Sequence, residues 1–252
     1  MLGNYVTQKD DNKKIIFEVT NEFPDEVEIK GVNYRIIKRI PVNLIESASS
    51  IDIKNENDRT NKYYYKVINT KSRTEKRYIL GTILHIDGDN TYLSKCLELY
   101  EALGVFANGV QIVENKMKDE VEKILKQITP DIIVITGHDS YNNQGIGNLN
   151  NYKNTLHFME TVKAIRRINT NCCIIAGACQ SNFEALMASG ATFASSPKRI
   201  NIHTFDPAVV AVKVATTSFV KMVDFDGIVK FIEEGRKAFG GVETFGKMKM
   251  LL

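Results

Sequence analysis

Hydrophobic and polar positions follow three successive patterns along the chain. Residues 1–47 contain short stretches in which apolar and polar residues alternate, separated by turn-forming residues such as Pro24 and Gly31. Alternation with a period of two is typical of half-buried strands, and no helical period of useful length is found here. We therefore predict a small β-rich module of the SH3-like barrel type over residues 1–47. Its strand-like stretches are KIIFEV (14–19), EVEIKG (26–31) and NYRIIKRIPV (33–42).

Residues 48–78 are polar and dense in charge, with almost no apolar periodicity. Segments of this composition are typical of linkers and mobile arms. We predict a polar linker here. Its aromatic run KYYYK (62–66) is compatible with a short strand or with an exposed aromatic patch.

From residue 79 onward, short continuous apolar runs alternate with longer amphipathic stretches. Such alternation predicts βαβ units and a mainly parallel sheet that is covered by helices on both faces. We expect a three-layer α/β domain, caspase-like or flavodoxin-like, over residues 79–252. The apolar runs are ILGTILHI (79–86), VFANGVQIV (105–113), DIIVITG (131–137), CCIIAGA (172–178) and ATFASS (191–196). The helix-like stretches are 91–104, 116–128, 154–168, 181–190, 207–223 and 227–241.

Composition narrows the functional classes. A net charge of +3 over 252 residues is too mild to favour nucleic acid or a membrane surface as partner. No apolar run approaches the roughly 18 residues of a membrane span, and no signal-peptide core is evident, so we expect a cytoplasmic protein. The cysteines lack CxxC spacing, so we predict no metal and no cofactor, and buried thiols at Cys96, Cys172 and Cys173.

The fourth cysteine, Cys179, lies at the carboxyl end of a predicted strand, where catalytic residues are common. In open α/β sheets, functional groups gather at the carboxyl ends of the strands. Cys179 follows one apolar run and His138 follows the preceding one. If the two strands are neighbours, thiol and imidazole project over the same edge of the sheet, as nucleophilic thiol catalysis requires.

The residues around Cys179 favour an activated thiol. Ser181 and Glu184 form an S-x-x-E pattern, which predicts a capped helix that starts just after the cysteine. The positive end of such a helix lowers the pKa of a nearby thiol. The small residues Gly177 and Ala178 leave room for a substrate backbone.

Two alternatives remain open from the residues alone. Cys179 is equally compatible with an inert buried thiol, and His138 with a loop histidine. His203 is a rival base, because Gly177-Ala-Cys179-Gln-Ser181 loosely fits a nucleophile elbow followed by a later histidine, as in glutamine amidotransferases.

Several long motifs carry a family resemblance. LHIDGDNTYLSKCLELYEALGV, PDIIVITGHDSY and IIAGACQSNFEALMASGATFASSPKRINIHTFDP resemble the YabG family of sporulation-specific proteases. The order of a histidine and then an [AG]-Cys after two apolar runs also resembles the wider caspase, legumain and gingipain clan. A weaker likeness covers residues 3–45, where the stretch Gly3-Asn4-Tyr5-Val6 stands.

The resemblance implies a peptidase of endospore-forming bacteria that processes spore coat and cortex-related proteins in the mother-cell cytoplasm. It would cut after basic residues, notably arginine, with His138 and Cys179 as catalytic pair. The clan usually has glycine directly after the histidine, whereas Asp139 stands here, so the oxyanion donors are expected at Gly137 and Cys179. The non-enzymatic alternative is a spore-coat assembly protein.

Arginine selectivity requires a carboxylate placed for bidentate contact. We favour Asp87 and Asp89, in the stretch HIDGD, over Asp139 and Asp206. The alternative is that Asp87 and Asp89 only form the turn around Gly88.

The predicted linker also contains basic residues. Arg73 and Arg77 lie in a polar stretch, and such segments are natural sites of proteolysis. We therefore predict self-cleavage after Arg73 or Arg77, which would separate the small module from the α/β domain. An ordinary tether is the alternative.

Overall fold

The computed structural model describes residues 1–9, 11, 13–68 and 78–251, with the backbone alone at residue 68. The start of the chain forms β1 (Tyr5–Gln8), β2 (Phe17–Glu22), β3 (Glu26–Gly31), β4 (Ile37–Pro41) and β5 (Ile45–Ser47). These strands form an antiparallel sheet in the order β4-β3-β2-β1-β5. Apolar residues from the alternating stretches, including Val6, Phe17 and Ile29, form its core. The prediction of a β-rich start is confirmed, while the SH3-like barrel type stays a prediction.

The segment that we predicted to be a polar linker begins with a long helix, α1 (Ser50–Ile68). The Ser49 hydroxyl accepts a hydrogen bond from the backbone N–H of Asp52, and the Asp52 carboxylate accepts one from the backbone N–H of Ser49. The helix was not predicted because the inward face of α1 is not purely apolar. It consists of Glu56, Tyr63 and Val67, which repeat at helical spacing but include a charged residue.

The rest of the chain is built on a six-stranded sheet in the order β12-β11-β10-β9-β7-β8. All neighbouring pairs are parallel except β11 and β12. This confirms the α/β prediction with a mostly parallel sheet. The strands are β7 (Ile83–Asp87), β8 (Ala107–Gln111), β9 (Ile132–Thr136), β10 (Cys173–Ala176), β11 (Phe193–Ser195) and β12 (Phe239–Gly241). A separate two-stranded ribbon pairs β6 (Tyr78–Ile79) with β13 (Lys249–Met250).

Helices cover both faces of this sheet. They are α2 (Asn90–Leu103), α3 (Met117–Ile124), α4 (Thr155–Ile168), α5 (Phe183–Ala188), α6 (Asp206–Thr216) and α7 (Phe225–Val229). Alternate strand residues point to opposite faces, so Ile132 and Val134 pack with α2 and α6, whereas Ile133 and Ile135 pack with α3 and α4. The two apolar cores explain why the strand sequences are continuously hydrophobic.

The end of the chain differs from the prediction of one helix over residues 227–241. α7 stops at Val229, a 3₁₀ turn follows at Gly235–Lys237, and β12 then joins the sheet edge. Gly235 has a φ of +52°, which a continuing right-handed helix cannot contain. Gly241 lies directly against Phe193 of β11, where a side chain would collide. Gly235 therefore prevents a helix from continuing through residues 227–241, and Gly241 allows β12 to lie against β11.

No helix within the described ranges is long and apolar enough to cross a membrane.

Candidate active site

Cys179 and His138 lie at the carboxyl edge of the six-stranded sheet. Cys179 comes three residues after the end of β10, and His138 comes two residues after the end of β9. The two strands are parallel neighbours, with Ala176 paired to Ile135. The condition that the two strands be neighbours is therefore met. β7 flanks β9 on its other side, which brings Asp87 to the same edge beside Thr136.

The Cys179 thiol is buried, with only 1% of the residue exposed. The backbone N–H of Ile202 donates a hydrogen bond to Sγ at 3.4 Å, and the carbonyl oxygen of the same residue lies 3.6 Å from Sγ. Burial raises the pKa of the thiol to about 11, although backbone hydrogen bonds from Ile202 and Arg35 act in the opposite direction. In this structure the thiol is therefore protonated at neutral pH, contrary to the activated state that we expected.

The predicted capping box at Ser181 is also wrong. The N-cap of α5 is Asn182, whose side chain accepts a hydrogen bond from the N–H of Ala185. The Ser181 hydroxyl instead accepts from the N–H of Ala178 and donates to Asp139. Ser181 thus holds the turn around Cys179 in shape and does not start the helix.

His138 is oriented on both ring nitrogens. Nδ1 lies 3.1 Å from the carbonyl oxygen of Arg35, and Nε2 lies 3.1 Å from Oδ2 of Asp89. The Tyr92 ring packs edge-on at a centroid distance of 5.6 Å. The imidazole therefore has one nitrogen directed at a neighbouring peptide group and the other fixed by a carboxylate.

Asp89 acts on His138 and not on the pocket where we predicted it. It caps α2 through the N–H of Thr91 and forms an ion pair with Lys30 at 2.6 Å. Burial favours the neutral acid, but hydrogen bonds from His138 and Lys30 outweigh it and hold the pKa of Asp89 below its usual range. Asp89 is thus an ionised carboxylate that orients the imidazole of His138.

Glu114 supports the backbone around His138. Its carboxylate accepts a hydrogen bond from the N–H of His138 at 2.7 Å. The same carboxylate lies in the space that side chains at Gly88 and Gly137 would fill. These two glycines are therefore required by the close approach of Glu114.

A residue from the loop between β3 and β4 lies beside His138. Arg35 is fully buried, and both its Nε and its Nη2 donate to Oδ2 of Asp87, at 3.1 and 2.8 Å. Its Nη1 donates to the carbonyl oxygen of Thr204 at 2.9 Å, and Nη2 lies 3.6 Å from Sγ of Cys96. Burial opposes the charge of the guanidinium, but Asp87 outweighs it, and the pKa of Arg35 is raised.

Two further hydrogen bonds hold the Asp87 carboxylate in place. Thr136 donates its hydroxyl to Oδ2 at 2.8 Å, and the N–H of Asp89 donates to Oδ1 at 2.9 Å. Burial alone would raise the pKa of Asp87, but Arg35 and His85 lower it overall. Asp87 is therefore a fixed, ionised carboxylate that binds the buried guanidinium group of Arg35.

Asp139 and Asp206 lie elsewhere. Asp139 accepts hydrogen bonds from Thr155, Ser181 and two backbone N–H groups, and so ties the loop after β9 to the loop after β10. Asp206 accepts from the Tyr63 hydroxyl at 2.8 Å and from the N–H of His203 at 2.9 Å, and burial raises its pKa to about 7. Neither carboxylate contacts Arg35.

His203 does not approach Cys179 with its ring. Its Nδ1 accepts from the N–H of Phe205, and its ring packs against Tyr34, Tyr63 and Phe205. Burial lowers its pKa to about 3. This geometry disfavours His203 as the base of a nucleophile elbow.

The remaining predicted positions are an oxyanion donor and a cleavage site. The backbone N–H of Cys179 donates no hydrogen bond to any residue of the described ranges, so it is free for an incoming oxygen. Gly137 faces the Glu114 carboxylate. Arg73 and Arg77, where we predicted self-cleavage, fall outside the described residues.

Sequence reasoning missed Arg35, Glu114 and Thr136. Arg35 was counted within a strand-like stretch, although a charged residue inside the apolar run YRII was a usable signal. Thr136 is the one polar residue at the end of an otherwise apolar strand, and this position was a second usable signal. Glu114 gave no such signal, because its position depends on the path of the loop after β8.

Chemically, the arrangement can support acyl transfer. It combines a thiol, an imidazole oriented by a carboxylate, and a free backbone N–H at one sheet edge. Next to them is a buried carboxylate that binds a guanidinium group through two donors.

Comparisons with known proteins agree with a peptidase. The family model for the YabG peptidase U57 matches residues 1–252. The chain is also 39% identical to the sporulation-specific protease YabG of Bacillus subtilis (strain 168) over 197 residues, which covers 76% of this chain and 68% of that protein. The family match includes the N-terminal antiparallel sheet as well as the α/β part.

Proposed function

Since the chain belongs to the YabG peptidase U57 family, we propose that it is a sporulation-specific cysteine endopeptidase that cleaves after arginine. Cys179 is the nucleophile, His138 is the general acid and base, and Asp87 is the specificity residue. The substrates are spore coat and cortex-related proteins in the mother-cell cytoplasm, and no cofactor takes part.

One observation supports this proposal above the others. A single arginine residue, Arg35, contacts His138 with its backbone carbonyl oxygen while its guanidinium group is paired with Asp87. His138 and Asp87 therefore hold one peptide residue as a base and a specificity pocket hold the residue before a scissile bond, and Cys179 follows the strand next to that of His138.

The reaction follows from these positions. Cys179 Sγ loses its proton to His138 and attacks the scissile carbonyl carbon. The developing oxyanion accepts a hydrogen bond from the free backbone N–H of Cys179. His138 then donates the proton to the leaving amine, which leaves a thioester on Cys179. Water, deprotonated by His138, attacks the thioester and releases the carboxylate product and the thiol. Asp89 stabilises the imidazolium in both steps.

The pocket geometry favours arginine over lysine. Oδ2 of Asp87 accepts from two nitrogens of one guanidinium group, while the carbonyl oxygen of Thr204 accepts from a third. The single ammonium of a lysine cannot reach all these acceptors from one position. Lysyl substrates are thus expected to bind less well.

We further propose the division of the chain into a small module (1–47), a connecting segment (48–78) and a protease domain (79–252). The connecting segment includes α1, and self-cleavage after Arg73 or Arg77 would separate the small module.

Affinity labelling tests the proposed chemistry. The full chain is incubated with an arginyl chloromethyl ketone, and the labelled residue is identified by peptide mass spectrometry. We expect label on Cys179, lost in Cys179→Ala and strongly reduced in His138→Ala. Cys172→Ala and His157→Ala serve as matched controls and should label as the unmodified chain does. Label that persists in Cys179→Ala would contradict the proposal.

A further inference from the structure

The proposed substrate pocket is already filled by the chain itself. We propose that residues 33–36 bind the cleft as a substrate does, with Arg35 at the position before the scissile bond, and so hold the intact chain in an inhibited state. This inference rests on the proposed function, because it assigns the same pocket to arginyl substrates.

The side chain of Arg35 uses every contact that a substrate arginine would need. Its three guanidinium nitrogens are bound by Asp87 and Thr204, and none of its surface is exposed. A second arginine cannot enter while this one is in place. Opening the pocket requires that Arg35 leave.

The backbone on the amino-terminal side of Arg35 is bound like an added strand. The N–H and the hydroxyl of Thr204 both donate to the carbonyl oxygen of Asn33, at 3.0 and 2.9 Å. Tyr34 forms an antiparallel bridge with His203. Peptide ligands commonly add to an exposed strand in this manner, where backbone bonds provide affinity and a side-chain pocket provides selectivity.

The carbonyl group of Arg35 lies at the reactive groups. Its oxygen is 3.1 Å from Nδ1 of His138, and the backbone of Arg35 is one of the groups that oppose the rise in the pKa of the Cys179 thiol. Arg35 is therefore held at the candidate site through both its side chain and its carbonyl oxygen.

The contacts of the residues that follow Arg35 explain why the segment would inhibit the enzyme and not be cleaved from it. The N–H of Ile36 donates to the carbonyl oxygen of Tyr34 at 2.7 Å, and the carbonyl oxygen of Ile36 accepts from the N–H of Gly31. Ile37 then pairs with Lys30 in the antiparallel sheet. An amine released at Ile36 would remain next to the acyl group, and such proximity favours reformation of the peptide bond. The segment thus occupies the cleft without being released from it.

Peptide binding without catalysis tests this inference. In the full chain carrying Cys179→Ala, the peptide acetyl-Asn-Tyr-Arg-amide is titrated by calorimetry against three proteins: the chain with Arg35 present, Arg35→Glu and Arg35→Ala. The Arg35→Glu charge reversal repels Asp87 and expels the segment. If the cleft is open about 1% of the time in the intact chain, the peptide should bind roughly 100-fold more tightly to Arg35→Glu.

The matched control is Arg39→Glu, the same charge change at an exposed arginine of β4 that pairs with Glu26. It should bind the peptide as weakly as the chain with Arg35 present, and acetyl-Asn-Tyr-Ala-amide should bind none of the proteins. Circular dichroism checks that each variant is folded. If Arg35→Glu is unfolded, the affinity of Arg35→Ala for the peptide is the test instead. Equal affinity with and without Arg35, or no binding to either Arg35 variant, would overturn the inference. Failure of the proposed chemistry is read separately, from the labelling of Cys179 by the arginyl chloromethyl ketone in the Arg35→Ala chain, where the inference leaves the cleft empty.

Discussion

Arg35 and Asp87 form an ion pair in which both side chains are completely buried, although they come from two distant parts of the chain. Arg35 lies between β3 and β4, and Asp87 ends β7. Removing two charges from water is costly, and it is offset only when each charge has its partner and further hydrogen bonds. The pair therefore couples the position of the N-terminal module to the floor of the candidate pocket.

Removing one member of this pair should destabilise the protein. Asp87→Asn leaves the Arg35 guanidinium buried without a counter-charge, and we expect a loss of about 3–5 kcal/mol in the free energy of unfolding. Urea denaturation followed by circular dichroism measures it. The control Glu120→Gln removes the exposed pair with Lys123 and should change stability by less than about 1 kcal/mol. Similar losses in both variants would mean that Asp87 and Arg35 are not coupled.

Asp89 should matter for catalysis more than for binding. Asp89→Asn keeps the size of the side chain but removes the charge that stabilises an imidazolium at His138, so kcat should fall by about 10²–10⁴ with little change in KM. Steady-state hydrolysis of an arginyl peptide measures both constants. Lys30→Met is the matched control, because Lys30 contacts the same carboxylate without touching His138. If Lys30→Met lowers kcat as strongly, Asp89 does not act through the imidazole.

Much of the site could be predicted because it depends on sheet geometry. A continuous apolar strand specifies a position between two helix layers, and the loops after neighbouring parallel strands must meet at one edge. This reasoning placed His138, Cys179 and Asp87 together before any coordinates.

Other features could not be predicted because they depend on contacts distant in sequence. The state of the Cys179 thiol depends on its burial and on its contact with Ile202, whereas the local sequence shows only a turn of small residues after β10. Asp87 and Asp89 are two residues apart and equivalent in pattern, yet one faces Arg35 and the other His138. The helix over 50–68 was not predicted because its buried positions include the charged residue Glu56. Arg59 forms an ion pair with the Glu56 carboxylate, and the Asn33 side chain donates a hydrogen bond to it.

Gly137 should tolerate no side chain. A methyl group at this position meets the Glu114 carboxylate, which is itself bound to the N–H of His138. We expect Gly137→Ala to lower the free energy of unfolding by about 1–3 kcal/mol and to slow hydrolysis by displacing His138. Thermal denaturation and peptide hydrolysis measure the two effects. Gly147→Ala, in a loop with open space around it, should change neither. Unchanged stability and activity in Gly137→Ala would exclude a close contact with Glu114.

The reactivity of Cys179 toward alkylation should keep rising at pH values where an ordinary thiol is already fully ionised. Only the thiolate is alkylated, and burial raises the pKa of Cys179 to about 11, so the thiolate fraction stays small at neutral pH and grows as the pH approaches that value. Iodoacetamide labelling of the intact chain, with Cys179 quantified by mass spectrometry from pH 6 to 10, measures the profile. Arg35→Glu should shift it toward the usual pKa near 8.5, because the emptied cleft admits water and removes the cause of the rise. Arg39→Glu keeps the cleft filled and should follow the unmodified chain. A profile for the unmodified chain that levels off below about pH 8.5 would show that the thiol is not shielded in solution.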